Sequence, residues 1–199
     1  MFRKYPKTAR LKDGRCIELR PMKVGDREHL TTFFQQLGPE ERNLLNDDVN
    51  DPAFIDRLVQ RLGDEWYIVI LAIADGVVVG EANLSRRRYG WSRHVGKIRI
   101  LTDPKWRRIG LGTLLAKEIF FLAVKLKLEK VNALMMEEQM DARHVFARLG
   151  FQEEAILKDQ VVDIQGQKHN LVIMGQSIPE VWERIQDMID ESVMLISGS

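Results

Sequence analysis

One stretch of the chain, where a predicted strand passes through a glycine-bearing loop into a long predicted helix, most constrains the fold. Residues 95–102 alternate between apolar and polar side chains around Ile98 and Ile100, as a half-buried strand does. The loop that follows carries Gly110 and Gly112. Apolar residues then recur at spacings of four, four, three and four, namely at Leu111, Leu115, Ile119, Leu122 and Leu126. A strand joined to a long amphipathic helix predicts layers of helices on a sheet.

Changes in hydrophobic periodicity predict the remaining elements. The strongest local signal is Asp75-Gly76 between two apolar runs, because Asp-Gly supplies the positive φ values of a two-residue hairpin turn. A strand at residues 16–20 and two helices precede this hairpin. After the long helix we predict a short strand, a short helix ending at Gly150, two more strands and a last helix from Pro179. The predicted order is βααβββαβαββα.

This order predicts an α/β fold, with one mixed sheet flanked by helices. A chain of 199 residues has room for one domain of ordinary size and a substantial core. We therefore predict a single domain over residues 1–199. Its core spans residues 14–177, and residues 178–199 form a C-terminal helical extension.

Composition excludes several classes of protein. The 30 basic and 29 acidic residues leave a formal charge of +1, so no global field attracts nucleic acid or an anionic membrane. The longest apolar run, residues 66–74, is far shorter than the ~20 residues of a membrane span. Cys16 is the single cysteine, and the four histidines lack metal-ligand spacing. We expect a cytoplasmic protein without a metal, a membrane partner or a nucleic-acid partner, either a monomer or a homodimer.

The glycine loop suits an anionic ligand. Backbone N–H groups converge at a helix N-terminus, whose partial positive charge favours anions, and glycine allows close approach. Residues 107–112 lack the third glycine of a dinucleotide fingerprint and the Gly-Lys-Ser/Thr of a nucleotide P-loop. Two glycines can also serve only a tight turn and close helix packing.

The pattern Arg107-x-x-Gly110-x-Gly112 resembles the acyl-CoA loop of the GNAT superfamily of N-acyltransferases. Ala142 and residues 146–151, which end in Leu-Gly-Phe, resemble the second motif of that family. The resemblance covers roughly residues 14–177 and implies a largely antiparallel GNAT sheet, βααβββαβαββ, followed here by an extra helix. It also implies an acetyl-CoA-dependent N-acetyltransferase whose acceptor is a primary amine, with a protein lysine and a protein N-terminus among the candidates.

A narrower resemblance concerns the first elements. Leu19-Arg20-Pro21, Asp26, Phe33-Phe34 and Leu37 are similar to the opening of bacterial protein-lysine acetyltransferases that modify acyl-CoA synthetases. Relatives with other substrates fit the same loose pattern, so the acceptor stays open.

The family resemblance implies where the donor lies. The pyrophosphate would rest on loop amides, and the pantetheine arm would pair with the preceding strand, whose Leu101 N–H would stabilise the tetrahedral oxyanion. Gln139 stands where the family commonly has asparagine. Phe146 stands where many members place a tyrosine near the leaving sulfur. The implied donor-binding residues are Ile100, Leu101, Thr102, Arg107, Arg108, Ile109, Gly110, Leu111, Gly112, Thr113, Gln139 and Phe146.

The acid and base of the family pattern are absent. Phe146 offers no hydroxyl, and Lys97 occupies the position aligned with the glutamate base of lysine-modifying relatives. Glu81, on the neighbouring strand, is the best substitute base, acting directly or through water. An exposed Glu81 that pairs with Arg86 or Lys97 is the alternative.

Two other functions compete with catalysis. The missing acid and base would suit a non-catalytic acyl-CoA-binding module. Arginines and aromatic residues interleave in residues 86–93, a pattern that could bind nucleic acid. The near-zero net charge opposes this function and favours a solvated loop whose aromatic residues shape the acceptor side of the cleft.

Overall fold

The computed structural model of the chain describes residues 2, 4–38, 42, 45, 49, 51–163 and 165–178. Eight strands form one sheet in the order β1-β2-β3-β4-β5-β6-β8-β7. The strands are β1 Lys7–Arg10, β2 Cys16–Pro21, β3 Tyr67–Ala74, β4 Val77–Arg86, β5 Val95–Thr102, β6 Lys130–Met136, β7 Gln152–Val162 and β8 Lys168–Ser177. The described helices are α1 Arg27–Gln36, α2 Pro52–Gln60, α3 Leu111–Lys125 and α4 Met140–Arg148. The predicted mixed, largely antiparallel α/β architecture is confirmed.

Each face of the sheet buries its own apolar core. On one face, α3 and α4 pack against the sheet through residues such as Leu115, Ile119 and Phe146. On the other face, α1 and α2 contribute a second cluster that includes Phe33 and Phe54. The three-layer arrangement places the sheet between two helical layers.

The predicted Asp-Gly hairpin is confirmed. Asp75 and Gly76 have φ values of +49° and +78°, the left-handed pair that a tight two-residue turn requires. The turn joins β3 to β4, and Ala74 faces Val77 in the register. This hairpin brings Glu81 to the middle of the sheet.

One strand, β1, was not predicted. Its sequence, Lys-Thr-Ala-Arg, carries no apolar alternation, yet it pairs with β2 at the sheet edge. Tyr5 and Lys7 both bond the Glu118 carboxylate on α3, the lysine at 2.5 Å. Burial and the Glu118 hydrogen bond raise the pKa of the Tyr5 hydroxyl. The N-terminal strand is therefore tied to the helix that begins at the glycine loop.

The sheet opens between β5 and β6. These two strands run parallel, whereas every other neighbouring pair in the described sheet is antiparallel. Their pairing ends at Ile98 opposite Ala133. β5 stays with β4 as far as Thr102, and β6 stays with β8 as far as Met136. The ends of β5 and β6 therefore diverge, and a wedge-shaped opening lies between them.

The helix predicted from Pro179 lies outside the described residues. Among the described helices, none combines the length and the apolar character that crossing a membrane requires.

Candidate active site

The glycine loop joins β5 to α3 through two residues in left-handed backbone conformations. Arg108 has φ +62° and Gly110 has φ +96°, and Gly110 caps the N-terminus of α3. The Gly110 carbonyl accepts the first helical hydrogen bond, from the Leu114 N–H at 3.0 Å. The N–H groups of residues 111–113 precede that bond, so they have no acceptor within the helix. They form a ready anion site at the N-terminus of a fifteen-residue helix.

Gly112 provides a test of whether this site fits a ligand. A Cβ atom built there meets no other atom within 4 Å. Packing within the protein therefore does not fill the space above this position, and a ligand can approach the helix amides there. The residues present fit a bound pyrophosphate.

Two arginines precede the helix. The Arg107 guanidinium donates to the Thr102 carbonyl at 3.4 Å, which ties the loop to the end of β5. Arg108 is 88% exposed and lies 3.8 Å from Asp141 on α4, an ion pair too exposed to contribute much to stability. Both cations belong to the loop that leads into α3, and their charges favour an anionic ligand at its N-terminus.

Hydrogen bonds on β4 show which backbone groups of β5 face the opening. The Arg86 N–H donates to the Trp66 carbonyl, on the β3 side of β4, at 2.9 Å. Ser85 therefore turns its backbone groups toward β5, because consecutive residues of a strand alternate. Ser85 pairs with Lys97, so the backbone N–H and C=O groups of Lys97 and of every second residue after it in β5 point toward β4. Leu101 is one of these residues, since the register between β4 and β5 has no shift.

A second observation agrees that the backbone groups of Leu101 point toward β4. A Cβ atom built on Gly80 of β4 would lie 3.2 Å from the Leu101 carbonyl oxygen. The Leu101 N–H thus points into the sheet, and its predicted role in stabilising the oxyanion is wrong. The N–H groups of Ile100 and Thr102 face the opening instead.

A buried polar cluster lies on the α1/α2 face of β4 and β5. The Glu81 carboxylate has no exposed surface. It accepts hydrogen bonds from Asn83 Nδ2 at 3.1 Å and from Arg99 Nη2 at 3.4 Å. The expectation of an exposed Glu81 paired with Arg86 or Lys97 is wrong. The carboxylate presents no surface to the opening. The prediction that Glu81 acts as a direct base is therefore corrected, and its observed role is to hold Arg99.

Sequence reasoning missed Arg99 and Asn83. The signal was present, since Glu81 and Asn83 alternate with apolar residues along β4 and Arg99 does so along β5. Alternation of polar and apolar residues, taken alone, predicts that the polar ones lie on a solvent-exposed face of the sheet. The apolar layer of α1 and α2 covers this face instead, and only the three-dimensional packing reveals it.

The turn between β6 and α4 carries Gln139. Its side-chain oxygen accepts from the Met136 N–H at 2.8 Å, so it closes the turn at the end of β6. On α4, Phe146 is buried and packs edge to face on Phe151, with ring centroids 5.0 Å apart. Gln139 lies just beyond the end of β6, and Phe146 lies on α4. Their predicted contacts with the donor stay predictions.

His169 on β8 clamps this turn to the β7–β8 hairpin. Its Nδ1 lies 3.0 Å from Glu138 and its Nε2 lies 3.3 Å from Asp163. The hydrogen bond to Glu138, followed by that to Asp163, raises the pKa of His169 above 6.5. Two carboxylates can both be satisfied only when both ring nitrogens carry a proton. The clamp is therefore complete only with the imidazolium.

We expect the clamp to make stability depend on pH. A pKa raised in the folded state stabilises the protein below the unfolded value of ~6.5, and this contribution is lost as pH rises through the folded value. The melting temperature of wild type should therefore exceed that of His169→Gln most near pH 6 and least near pH 9. The exposed His144→Gln serves as the control. A difference that does not change with pH would contradict the clamp.

Two features of the sequence stay outside this site. Among the described residues, no group of three or more His, Cys, Asp or Glu side chains could hold a metal ion. In the β4–β5 loop, Trp91 is 90% exposed, and Arg88 lies over the Trp66 ring at 5.9 Å. Arg86, the last residue of β4, lies over the same ring at 4.3 Å.

Comparisons with known proteins agree with this geometry. A model of the Acetyltransferase (GNAT) family matches residues 28–151. No curated protein matches.

Solved structures share the fold at low sequence identity. The GNAT domain of S. lividans PAT has a TM-score of 0.75 at 16% identity, covering 88% of this chain and 98% of that one. A GNAT family acetyltransferase from Streptococcus pneumoniae has a TM-score of 0.71 at 19% identity, covering 81% and 98%. The putative acetyltransferase yncA from Salmonella typhimurium, solved with acetyl-CoA, has a TM-score of 0.66 at 20% identity, covering 81% and 94%.

Proposed function

The chain belongs to the GNAT family of acetyltransferases, and on that premise we propose that it transfers the acetyl group of acetyl-CoA to a primary amine, on a protein lysine or a protein N-terminus. One observation carries the proposal. The open N-terminus of α3, with its accessible Gly112, follows the free end of β5, and Arg107 of the connecting loop donates to the Thr102 carbonyl there. A ligand with an anionic group at one end and an extended arm that leads to a reactive group fits these two features. The anionic group fits the N-terminus of α3, and the arm fits the free edge of β5.

Backbone and side-chain groups of the protein would bind the donor. The amides of residues 111–113, with Arg107 and Arg108, would hold the pyrophosphate. The amide-containing arm would pair with the backbone of Ile100 and Thr102, as an added strand does at a sheet edge. Acetyl-CoA, which the yncA structure contains, supplies an activated thioester when bound.

The reaction needs little else from the protein. The amine nitrogen bonds to the thioester carbon while the Ile100 N–H stabilises the charge on the oxygen. The C–S bond then breaks, and CoA leaves as a thiolate that takes up the proton lost by nitrogen. A thiol with a pKa near 8.5 leaves tolerably without a general acid. The absence of a hydroxyl at Phe146 is therefore a modest loss.

The direct test measures CoA thiol release with acetyl-CoA and a panel of amines, lysine peptides and peptides with free N-termini. Turnover with any of them supports the proposal. Phe146 and the buried Glu81 favour one competing function, a non-catalytic acyl-CoA-binding module. Tight acetyl-CoA binding without turnover across the whole panel would select that module.

We expect Phe146→Tyr to retain the rate or raise it. The ring sits edge to face on Phe151, and a tyrosine keeps that packing while adding a hydroxyl where the family pattern has one. Steady-state rates and melting temperatures of wild type and variant test this. Phe121→Tyr, on the partly exposed side of α3, is the matched control. A tenfold loss of rate at an unchanged melting temperature would contradict the expectation.

A further inference from the structure

The turn between β1 and β2 packs on the glycine loop. The Lys12 N–H donates to the Ile109 carbonyl at 3.2 Å. The stem of Lys12 runs past Gly110, since its Cγ, Cε and Cδ atoms lie 3.7, 3.9 and 4.0 Å from a Cβ atom built there. The ammonium is one bond beyond Cε, so a cation from the N-terminal hairpin reaches the start of α3.

Arg15 anchors the other side of the same turn. Its guanidinium lies 3.9 Å from the centroid of the Trp106 ring and donates to the Lys105 carbonyl at 3.2 Å. It also pairs with Asp13 at 2.6 Å, which lowers the pKa of that carboxyl. The turn is thus fixed against both halves of the loop between β5 and α3.

The charges of the turn are distributed unevenly. Asp13 neutralises Arg15, whereas no carboxylate in the described part of the chain forms an ion pair with Lys12. Lys12 therefore adds a positive charge beside the free amides of residues 111–113 and near Arg107 and Arg108. Cations placed at a helix N-terminus add to an anion site that the amides already form.

We propose that Lys12 forms part of the phosphate subsite, with its ammonium bound to the pyrophosphate of the acyl-CoA donor. This inference rests on the proposed function and extends the site to the N-terminal hairpin. Lys12 precedes residue 28, where the family match begins, so the family pattern does not include it. The N-terminal strand, tied to α3 through Glu118, then has a role in donor binding besides its place in the sheet.

Calorimetric titration of CoA at low salt tests the proposal. Lys12→Gln should weaken binding by about tenfold, since a charge-assisted hydrogen bond is lost. Lys12→Arg should bind within about threefold of wild type because it keeps the charge. Lys158→Gln, the same change on the exposed edge strand β7, should bind like wild type. The loss in Lys12→Gln should shrink as salt is added.

Dephospho-CoA, which lacks the 3′-phosphate, separates the two phosphate groups of the ligand. Lys12→Gln should lose as much affinity for it as for CoA. A loss confined to CoA would overturn the assignment to the pyrophosphate. Equal affinity of wild type and Lys12→Gln for both ligands would overturn the inference alone. If wild type binds neither ligand, the proposed function fails with it.

Discussion

Gly112→Glu should lose at least 100-fold in affinity for CoA while its melting temperature without ligand stays equal or rises. The added carboxylate would occupy the space that is open above the first turn of α3 and would repel the pyrophosphate. The same carboxylate favours the helix, because glycine is the weaker helix former and a negative charge suits a helix N-terminus. Binding and stability should therefore change in opposite directions.

Calorimetry gives the affinity, and thermal unfolding with and without CoA gives the stability. Gly112→Ala is the matched control, since its methyl group fits the open space and carries no charge. It should unfold at an equal or higher temperature and keep CoA binding. Gly110 is a poor site for this test because its φ of +96° strains any other residue. Unchanged CoA affinity in Gly112→Glu would show that the pyrophosphate lies elsewhere.

Local sequence signals predicted the parts of the fold that local physics decides. The Asp75-Gly76 turn needs positive φ values, and the residues supply them. The apolar spacing of residues 111–126 fixes one buried face of α3. Both signals are complete within a short window of sequence, so the hairpin, the long helix and the loop between β5 and α3 could be predicted.

Other features depend on contacts between distant residues. β1 pairs with β2 and is held by Tyr5 and Lys7 on Glu118, more than a hundred residues away, so its own four residues give no signal. The orientation of Leu101 depends on the ladder that begins at Arg86. If the register is displaced by one residue, every backbone N–H and C=O group points to the opposite neighbour. The sequence of a single strand does not specify its register.

The burial of Glu81 belongs to the same class. Its position on β4 was predicted, but its environment is set by Arg99 across the ladder and by the helical layer above. A carboxylate held by two donors and closed to solvent differs chemically from an exposed one at the same place in the sequence. The proton path in the reaction follows from this difference.

The rate of acetyl transfer should rise about tenfold per pH unit, hence about 100-fold between pH 6.5 and 8.5 with a lysine acceptor. Only about one part in a thousand of an amine with a pKa near 10.4 is neutral near pH 7.4. Because the buried Glu81 presents no surface to the opening, we expect the proton to leave to solvent before attack. With a peptide α-amine, whose pKa is near 8, the rate should level off above about pH 8.

Glu81→Gln distinguishes this path from general base catalysis. Glutamine is nearly isosteric and can still accept a hydrogen bond from Arg99, so we expect a rate within about tenfold of wild type and the same slope with pH. A general base at Glu81 would instead give a loss of 100-fold or more and a slope that changes in the variant. Acetyl-CoA affinity, measured in parallel, must stay unchanged for either reading. Asn83→Ala, which removes the other donor to the same carboxylate, should follow the wild-type slope if Glu81 acts only by holding Arg99.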